Sequence, residues 1–254
     1  MRSVRIAEHD AQIRYHELPG DGPPLVFVHG LGSASSFAFP QIAAHPRLRR
    51  HRSILVDLLG FGYSDRPPTF SYTMDDHAKI LCRLLDALGV AEPTVVGHSM
   101  GGAIAILVAK ARQDQVSRLI LAEGNLDPQP GIVSGGVARQ AESQYVDEGH
   151  AAFARKMLDA GFEGYSRTVE AASPLAMHRS AVDLIADRSP TFREILYSLP
   201  IPRHFLISEE SKTDPDVERL PRQGVSVAVV PRCGHDMMAD NPEGFAEAIA
   251  NAID

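Results

Sequence analysis

Ser99 lies between two glycines where the sequence changes from a strand pattern to a helix pattern. It stands in the run Gly97-His98-Ser99-Met100-Gly101, which follows the β-branched "TVV" and precedes the helix formers of "GAIAILVA". A strand, a sharp turn and a helix form the setting in which a serine is held out as a nucleophile. A tight turn that happens to contain a serine is the alternative. The Gly-x-Ser-x-Gly pattern by itself is weak evidence, since a chain of this length matches it by chance about one time in ten.

The elements that would position this serine alternate along the chain. Two stretches near the N-terminus, "SVRIAEH" and "QIRYHEL", alternate apolar and polar residues and predict an antiparallel hairpin. Six β-rich runs then alternate with longer segments, several with helical periodicity, which predicts parallel strands joined by crossovers. These runs are "PLVFVH", "SILVD", "TVVGH", "RLILAE", "HFLIS" and "VSVAVV". We therefore expect an α/β fold with an eight-stranded, mostly parallel sheet flanked by helices.

Two helices are well marked by their ends. Thr73 is the predicted N-cap of a helix with Asp76 three residues after the cap and Gly89 as its stop. Asn241 followed by Pro242 predicts the start of the last helix, because proline at the first helical position costs no hydrogen bond.

One long segment interrupts the alternation. Residues 124–203 carry helix-like patches and no convincing strand, and this is much longer than an ordinary crossover. We therefore predict that residues 1–124 and 203–254 form the core domain and that residues 125–202 form a helical cap.

The composition argues against several classes of protein. The hydrophobic fraction of 44% is typical of a globular chain, and the formal charge of -7 offers no basic footprint for nucleic acid. The N-terminus lacks the continuous apolar core of a signal peptide, and no apolar run approaches the roughly 20 residues that span a bilayer. Cys82 and Cys233 are too few for a disulfide framework or a metal knuckle. We expect a cytoplasmic protein with no nucleic-acid or membrane partner and no metal or organic cofactor.

With these elements in place, the sequence resembles the α/β-hydrolase superfamily over nearly the whole chain except the cap. Three stretches besides the serine turn match in the family's order. "VFVHGLGS" resembles its oxyanion loop, "DLLGFGYSDRP" from Asp57 its next strand-end loop, and "VPRCGHDMMADNPEGFAEAI" its histidine loop and terminal helix. The resemblance implies the α/β-hydrolase fold and a nucleophile at Ser99.

The base that must activate the serine is predicted to be His235, one of 11 histidines. It follows the last predicted strand, at the edge where the serine turn also opens, and the family's triad order places histidine last. His98, next to the serine, is assigned to shaping the turn, and His29 to packing within its own loop. The predicted oxyanion donors are the backbone N–H groups of Met100 and Leu31.

The triad acid is where the sequence departs from the commoner pattern of the family. An aspartate usually follows the strand here written "HFLIS", but this chain has Ser208 there, followed by two glutamates. Glu123, at the end of the preceding strand, is the favoured acid, since some relatives use that location. Asp214 is the second choice, and Glu209 or Glu210 the third.

These residues predict hydrolysis of a small carboxylic ester or lactone through an acyl-enzyme. Other chemistry on the same scaffold, such as C–C bond hydrolysis, perhydrolysis or cofactor-free oxygenation, is the first alternative. A non-catalytic ligand-binding module with the same shape is the second, because fold does not determine function.

Overall fold

The computed structural model describes all 254 residues and contains one eight-stranded sheet. The eight predicted strands are confirmed. Their bounds are β1 Arg2–Ile6, β2 Ala11–Leu18, β3 Gly22–Val28, β4 His51–Asp57, β5 Thr94–His98, β6 Arg118–Ala122, β7 Arg203–Ser208 and β8 Ser226–Val230. The N-terminal hairpin is shorter than predicted, because residues 7–9 form a single 3₁₀ turn after β1.

The strands follow the order β1-β2-β4-β3-β5-β6-β7-β8. Strand β2 runs antiparallel to both of its neighbours, and every pair from β4 to β8 is parallel. The carboxyl ends of β3, β5, β6, β7 and β8 therefore meet along one edge of the sheet, which is where open α/β sheets bind ligands.

Helices cover both faces of this sheet. Their bounds are α1 Ser35–Ala38, α2 Pro40–Ala43, α3 Met74–Ala87, α4 Met100–Ala111, α5 Ile132–Ala138, α6 Glu142–Gln144, α7 His150–Asp159, α8 Glu163–Ala171, α9 Pro174–Leu184, α10 Phe192–Ser198, α11 Asp216–Arg219, α12 Met237–Asp240 and α13 Pro242–Ile253. The longest, α3, has 14 residues, so no helix reaches the length that a membrane span requires.

Both faces of the sheet are buried because its strands alternate between two cores. Val26 and Val28 of β3 belong to the larger cluster of 52 buried residues, and Leu25 and Phe27 to the smaller cluster of 19. Successive side chains on a strand point to opposite faces, so an uninterrupted apolar run is what a strand covered on both sides needs.

The segment between β6 and β7 contains helices only, from α5 to α10. The sequence has helix-like patches around residues 137–145, 151–158 and 176–186, and two of the helices, α8 and α10, lie outside them. The assignment of residues 125–202 to a separate cap domain stays a prediction.

The predicted N-cap of α3 is confirmed, since Thr73 Oγ1 accepts a hydrogen bond from the N–H of Asp76 at 3.2 Å. We expect Thr73→Ala to lower the free energy of unfolding by about 1 kcal/mol, because the N–H of Asp76 loses its acceptor. The measurement is the midpoint of urea unfolding. The matched control is Thr69→Ala, because Thr69 is exposed and its hydroxyl makes no hydrogen bond. Equal midpoints for the two variants would contradict the role of Thr73.

Candidate active site

Ser99 occupies a sharp corner between β5 and α4, with φ 53° and ψ -120°. Crowding of the backbone explains the glycines on either side. An ideal Cβ on Gly97 would lie 2.4 Å from the carbonyl oxygen of Gly101, and one on Gly101 would lie 2.3 Å from that of Val28. Only glycine fits at both positions. The corner therefore packs against the end of β3 and presents a half-buried Ser99 at the carboxyl edge of the sheet.

The side chain that contacts the hydroxyl of Ser99 belongs to Asn125, a residue that the sequence did not lead us to expect at the site. Ser99 Oγ lies 3.5 Å from Asn125 Oδ1, and the N–H of Asn125 donates to the carbonyl oxygen of Ser99 at 3.3 Å. Asn125 lies two residues after Glu123, past the end of β6. Its position at the same sheet edge as Ser99 was a signal that could have found it.

Two backbone N–H groups beside Ser99 have no acceptor in the protein. These are the N–H of Leu31, in the loop after β3, and that of Met100, at the first position of α4. The loop approaches the corner closely, since an ideal Cβ on Gly30 would lie 3.2 Å from Ser99 Cβ. Unpaired N–H groups of this kind are suited to binding a developing oxyanion.

The buried ring of His29 holds the loop that carries Leu31. Its Nδ1 donates to the carbonyl oxygen of Gly30 at 2.8 Å, and its Nε2 accepts from the N–H of Leu58 at 3.1 Å. Burial lowers the pKa of His29, although the charge of Asp57 and the bond to Gly30 act in the opposite direction. His29 is therefore a neutral structural clamp, as the sequence analysis expected.

His235 follows β8 and faces Glu123 across the sheet edge. Its Nδ1 lies 3.9 Å from Glu123 Oε2, which is ion-pair distance and longer than a hydrogen bond. With Nδ1 facing the carboxylate, Nε2 is the ring nitrogen that remains free to act as a base. His235 and Ser99 make no hydrogen bond in this structure, and such contacts in unliganded sites often tighten only when substrate binds.

His98, the residue before Ser99 in the corner, anchors the loop of His235. Its Nε2 donates to the carbonyl oxygen of His235 at 2.9 Å, and the two rings lie 4.8 Å apart. Burial, and after it the charge of His235, lowers the pKa of His98 to about 3. His98 therefore stays a neutral donor while His235 titrates.

Glu123 directly follows β6 with φ 47°, and its side chain is mostly buried. Its Oε1 accepts a hydrogen bond from the N–H of Ser208 at 2.8 Å, while Oε2 faces His235. Burial raises the pKa of Glu123, but the interactions with His235 and Ser208 outweigh it and leave the pKa below its usual value. The carboxyl group is therefore ionised at neutral pH.

The opposite shift occurs at His235. Burial alone would lower its pKa, but the interaction with Glu123 and the charge of Asp236 together raise the pKa above the ordinary value of 6.5. The Glu123 carboxylate thus stabilises the imidazolium form that a general base must reach.

The alternative acids lie elsewhere. Asp214 is exposed, and its carboxylate accepts a hydrogen bond from the N–H of Asp216 at 2.8 Å, within its own turn. Glu209 accepts from the N–H of Arg232 at 2.8 Å, and Glu210 lines a polar cavity behind the histidine loop. None of these three carboxylates forms an ion pair or hydrogen bond with His235. Of the candidate acids, the structure brings only Glu123 to the histidine.

One group of side chains outside this site has metal-ligating geometry. Ligand atoms of His45, Glu243 and Glu247 lie within 4.8 Å of one another. His45 Nε2 lies 3.3 Å from Glu243, and the Arg47 guanidinium pairs with Glu247, so side chains of the protein already contact both carboxylates.

Comparisons with known proteins agree with this fold. A family model described as alpha/beta hydrolase fold matches residues 23–161. Haloalkane dehalogenase 2 from Mycobacterium tuberculosis (strain ATCC 25618 / H37Rv) is 32% identical over 57% of this chain and 51% of its own, so the similarity spans about half of that relative. 2-hydroxymuconate semialdehyde hydrolase from Pseudomonas putida is 26% identical over 92% of this chain and 88% of its own.

A solved structure, a thermophilic esterase from Thermogutta terrifontis with malate bound, superimposes with a TM-score of 0.83 at 22% identity and covers 100% of this chain and 98% of its own. At that identity the likeness shows the fold alone. The fold predicted from the sequence is confirmed. The matched residues 23–161 make up more than half of the chain, which therefore belongs to the alpha/beta hydrolase fold family.

Proposed function

We propose that the chain is a serine hydrolase that cleaves a small carboxylic ester or lactone through an acyl-enzyme, with Ser99 as nucleophile, His235 as base and Glu123 as acid. One observation carries the proposal. The strained corner at Ser99 adjoins two unpaired N–H groups, and the only histidine at that sheet edge facing an ionised carboxylate is His235.

In the acylation step Ser99 Oγ attacks the carbonyl carbon of the substrate, and its proton passes to Nε2 of His235. The carbonyl oxygen becomes an oxyanion that accepts hydrogen bonds from the N–H groups of Leu31 and Met100. Collapse of this intermediate breaks the bond to the alkoxy oxygen, which leaves with the proton from His235. Glu123 keeps Nδ1 protonated and stabilises the imidazolium throughout.

In the deacylation step water replaces the alcohol. His235 takes a proton from the water, whose oxygen attacks the acyl carbon, and returns the proton to Ser99 Oγ as the carboxylic acid is released. No step needs a metal or an organic cofactor.

The nucleophile separates this chemistry from that named for the dehalogenase relative. A serine that displaced a halide from a saturated carbon would form an alkyl ether, which has no carbonyl carbon for water to attack. The enzyme would then stop after one turnover. Ser99 therefore favours acyl transfer over alkyl-halide chemistry.

The helices between β6 and β7 are proposed to form the cap that bounds the substrate. Tyr165, on α8, donates to the carbonyl oxygen of Leu31 at 2.9 Å, and so the segment contacts the oxyanion loop directly.

Hydrolysis of a C–C bond next to a ketone is the second candidate. It is favoured by the similarity over 92% of the chain to a relative named 2-hydroxymuconate semialdehyde hydrolase. Turnover of an ester and of a ketone of matched size distinguishes the two candidates. If the ketone is cleaved and esters are not, C–C bond hydrolysis is favoured.

A fluorophosphonate probe tests the proposal. We expect the folded protein to be labelled once, at Ser99, because the probe reacts with activated serines and its phosphoryl oxygen needs the oxyanion donors. Peptide mapping by mass spectrometry identifies the residue. Heat-unfolded protein is the control and should not react. Failure of the folded protein to label, together with inert p-nitrophenyl esters, would contradict the proposal and favour a ligand-binding module.

A further inference from the structure

Helix α8 is docked on the loop that carries the proposed oxyanion donor. Tyr165 Oη donates to the carbonyl oxygen of Leu31 at 2.9 Å. Gly32 is so close that an ideal Cβ there would lie 2.8 Å from Tyr165 Oη and 3.0 Å from Val169 Cγ2. Tyr165 and Val169 are one helical turn apart, so the same face of α8 makes both contacts.

A second contact, one residue before Tyr165, shows that α8 packs along this loop and the helix after it. An ideal Cβ on Gly164 would lie 2.6 Å from Cζ of Phe37, on the helix that follows the loop. Gly32 has φ +73° and Gly164 carries no side chain, so the two glycines permit the close approach at both ends.

The peptide planes on both sides of Leu31 are therefore fixed by hydrogen bonds from different parts of the molecule. The carbonyl oxygen of Gly30, in the plane that also holds the N–H of Leu31, accepts from His29 Nδ1 and from the N–H of Ser33 at 3.2 Å. These donors belong to the loop itself. The carbonyl oxygen of Leu31 accepts from Tyr165, which belongs to the segment inserted between β6 and β7.

We propose that Tyr165 is a positioning residue that latches the inserted helices onto the oxyanion loop and keeps the N–H of Leu31 directed at the carbonyl oxygen of the substrate. The inference rests on the proposed serine hydrolase function. It assigns to the inserted segment a part in stabilising the transition state, in addition to enclosing the substrate.

The hydroxyl is suited to this role. Burial, together with the nearby charge of Asp236 and the neighbouring Tyr145, raises the pKa of Tyr165 above its usual value. Tyr165 therefore remains protonated, and so remains a donor, over the whole range in which His235 titrates.

The test is Tyr165→Phe, which removes the donor and keeps the ring. We expect kcat for a p-nitrophenyl ester to fall about tenfold while KM changes less than about twofold, because the hydrogen bond acts on an interaction made in the transition state. A trifluoromethyl ketone, which forms an oxyanion at Ser99, should bind about tenfold more weakly. The product carboxylate should bind as before.

The matched control is Tyr145→Phe. Tyr145 is fully buried in the same segment, but its hydroxyl contacts His150 Nδ1 at 3.2 Å and not the oxyanion loop. We expect kcat and the affinity for the ketone to stay within about twofold of the wild type.

Tyr165→Met supplies a second route if Tyr165→Phe does not fold. It also removes the donor, its flexible side chain can fill the space of the ring, and it leaves the residues of the oxyanion loop unchanged, so the same loss in kcat without a change in KM is expected.

If the wild type is active and folded Tyr165→Phe has the same kcat, Tyr165 is not a positioning residue. The proposed function would still stand. Equal losses in Tyr145→Phe, or a loss confined to KM, would also overturn the positioning role. A wild type that neither labels nor turns over esters would overturn both proposals.

Discussion

Ser99→Ala is expected to lower kcat for ester hydrolysis by about 10⁴-fold or more, the largest effect of any single change in the chain. The substitution removes the atom that forms the acyl-enzyme and keeps the Cβ, so the corner with its positive φ remains as strained as before. The remaining rate comes from the oxyanion donors and from substrate binding alone. Steady-state kinetics with a p-nitrophenyl ester measures the loss.

The control for this variant is Ser117→Ala. Ser117 is exposed after α4, and its hydroxyl makes no hydrogen bond, so activity and the urea midpoint should both match the wild type. If Ser99→Ala retained more than about a tenth of the wild-type kcat, the proposed nucleophile would be wrong.

Glu123→Gln is expected to lower kcat by about 10³-fold. The amide keeps the size of the side chain but removes the charge that stabilises the His235 imidazolium, and it can present an N–H to Nδ1 and so favour the wrong tautomer. Asp214→Asn is the matched control, because the exposed Asp214 contacts only its own turn. A larger loss in Asp214→Asn than in Glu123→Gln would transfer the role of acid to Asp214.

The pH profile gives an independent readout of the same change. The base must be neutral, so kcat/KM falls as the pH drops through the pKa of His235. Glu123 helps to raise that pKa above 6.5, whereas burial lowers it. Without the carboxylate the acid limb should therefore move to lower pH in Glu123→Gln. An unmoved limb would mean that the ionised Glu123 does not act on His235.

The sheet and its carboxyl edge could be predicted because their signals are local. The first two strands alternate apolar and polar residues, the other six are short β-rich runs, and glycines on either side of Ser99 indicate the sharp corner. The prediction that Glu123 acts with His235 combined its place at a strand end with the resemblance to relatives that carry the acid at that location. Ser208 stands at the end of β7, where an aspartate is usual in the family. Its backbone N–H donates a hydrogen bond to Glu123, which follows the neighbouring strand.

The inserted helices could not be predicted to the same extent. Helix α8 contains a glycine, a threonine and a valine, all weak helix formers, and it is stabilised by packing on the oxyanion loop. That packing joins residues more than 130 positions apart, such as Tyr165 and Leu31. Neither periodicity nor spacing reports a contact of this kind, and so Tyr165 was not a candidate before the structure.

Backbone conformations of positive φ recur at the three strand ends that carry the proposed triad. Ser99 follows β5 with φ 53°, Glu123 follows β6 with φ 47°, and Arg232, three residues before His235, follows β8 with φ 52°. Glycine at any of these positions would relax a conformation that costs on the order of 1–3 kcal/mol. Directed evolution for heat tolerance alone would thus be drawn toward glycine at Ser99 and Glu123, and its most durable clones would be inert toward esters.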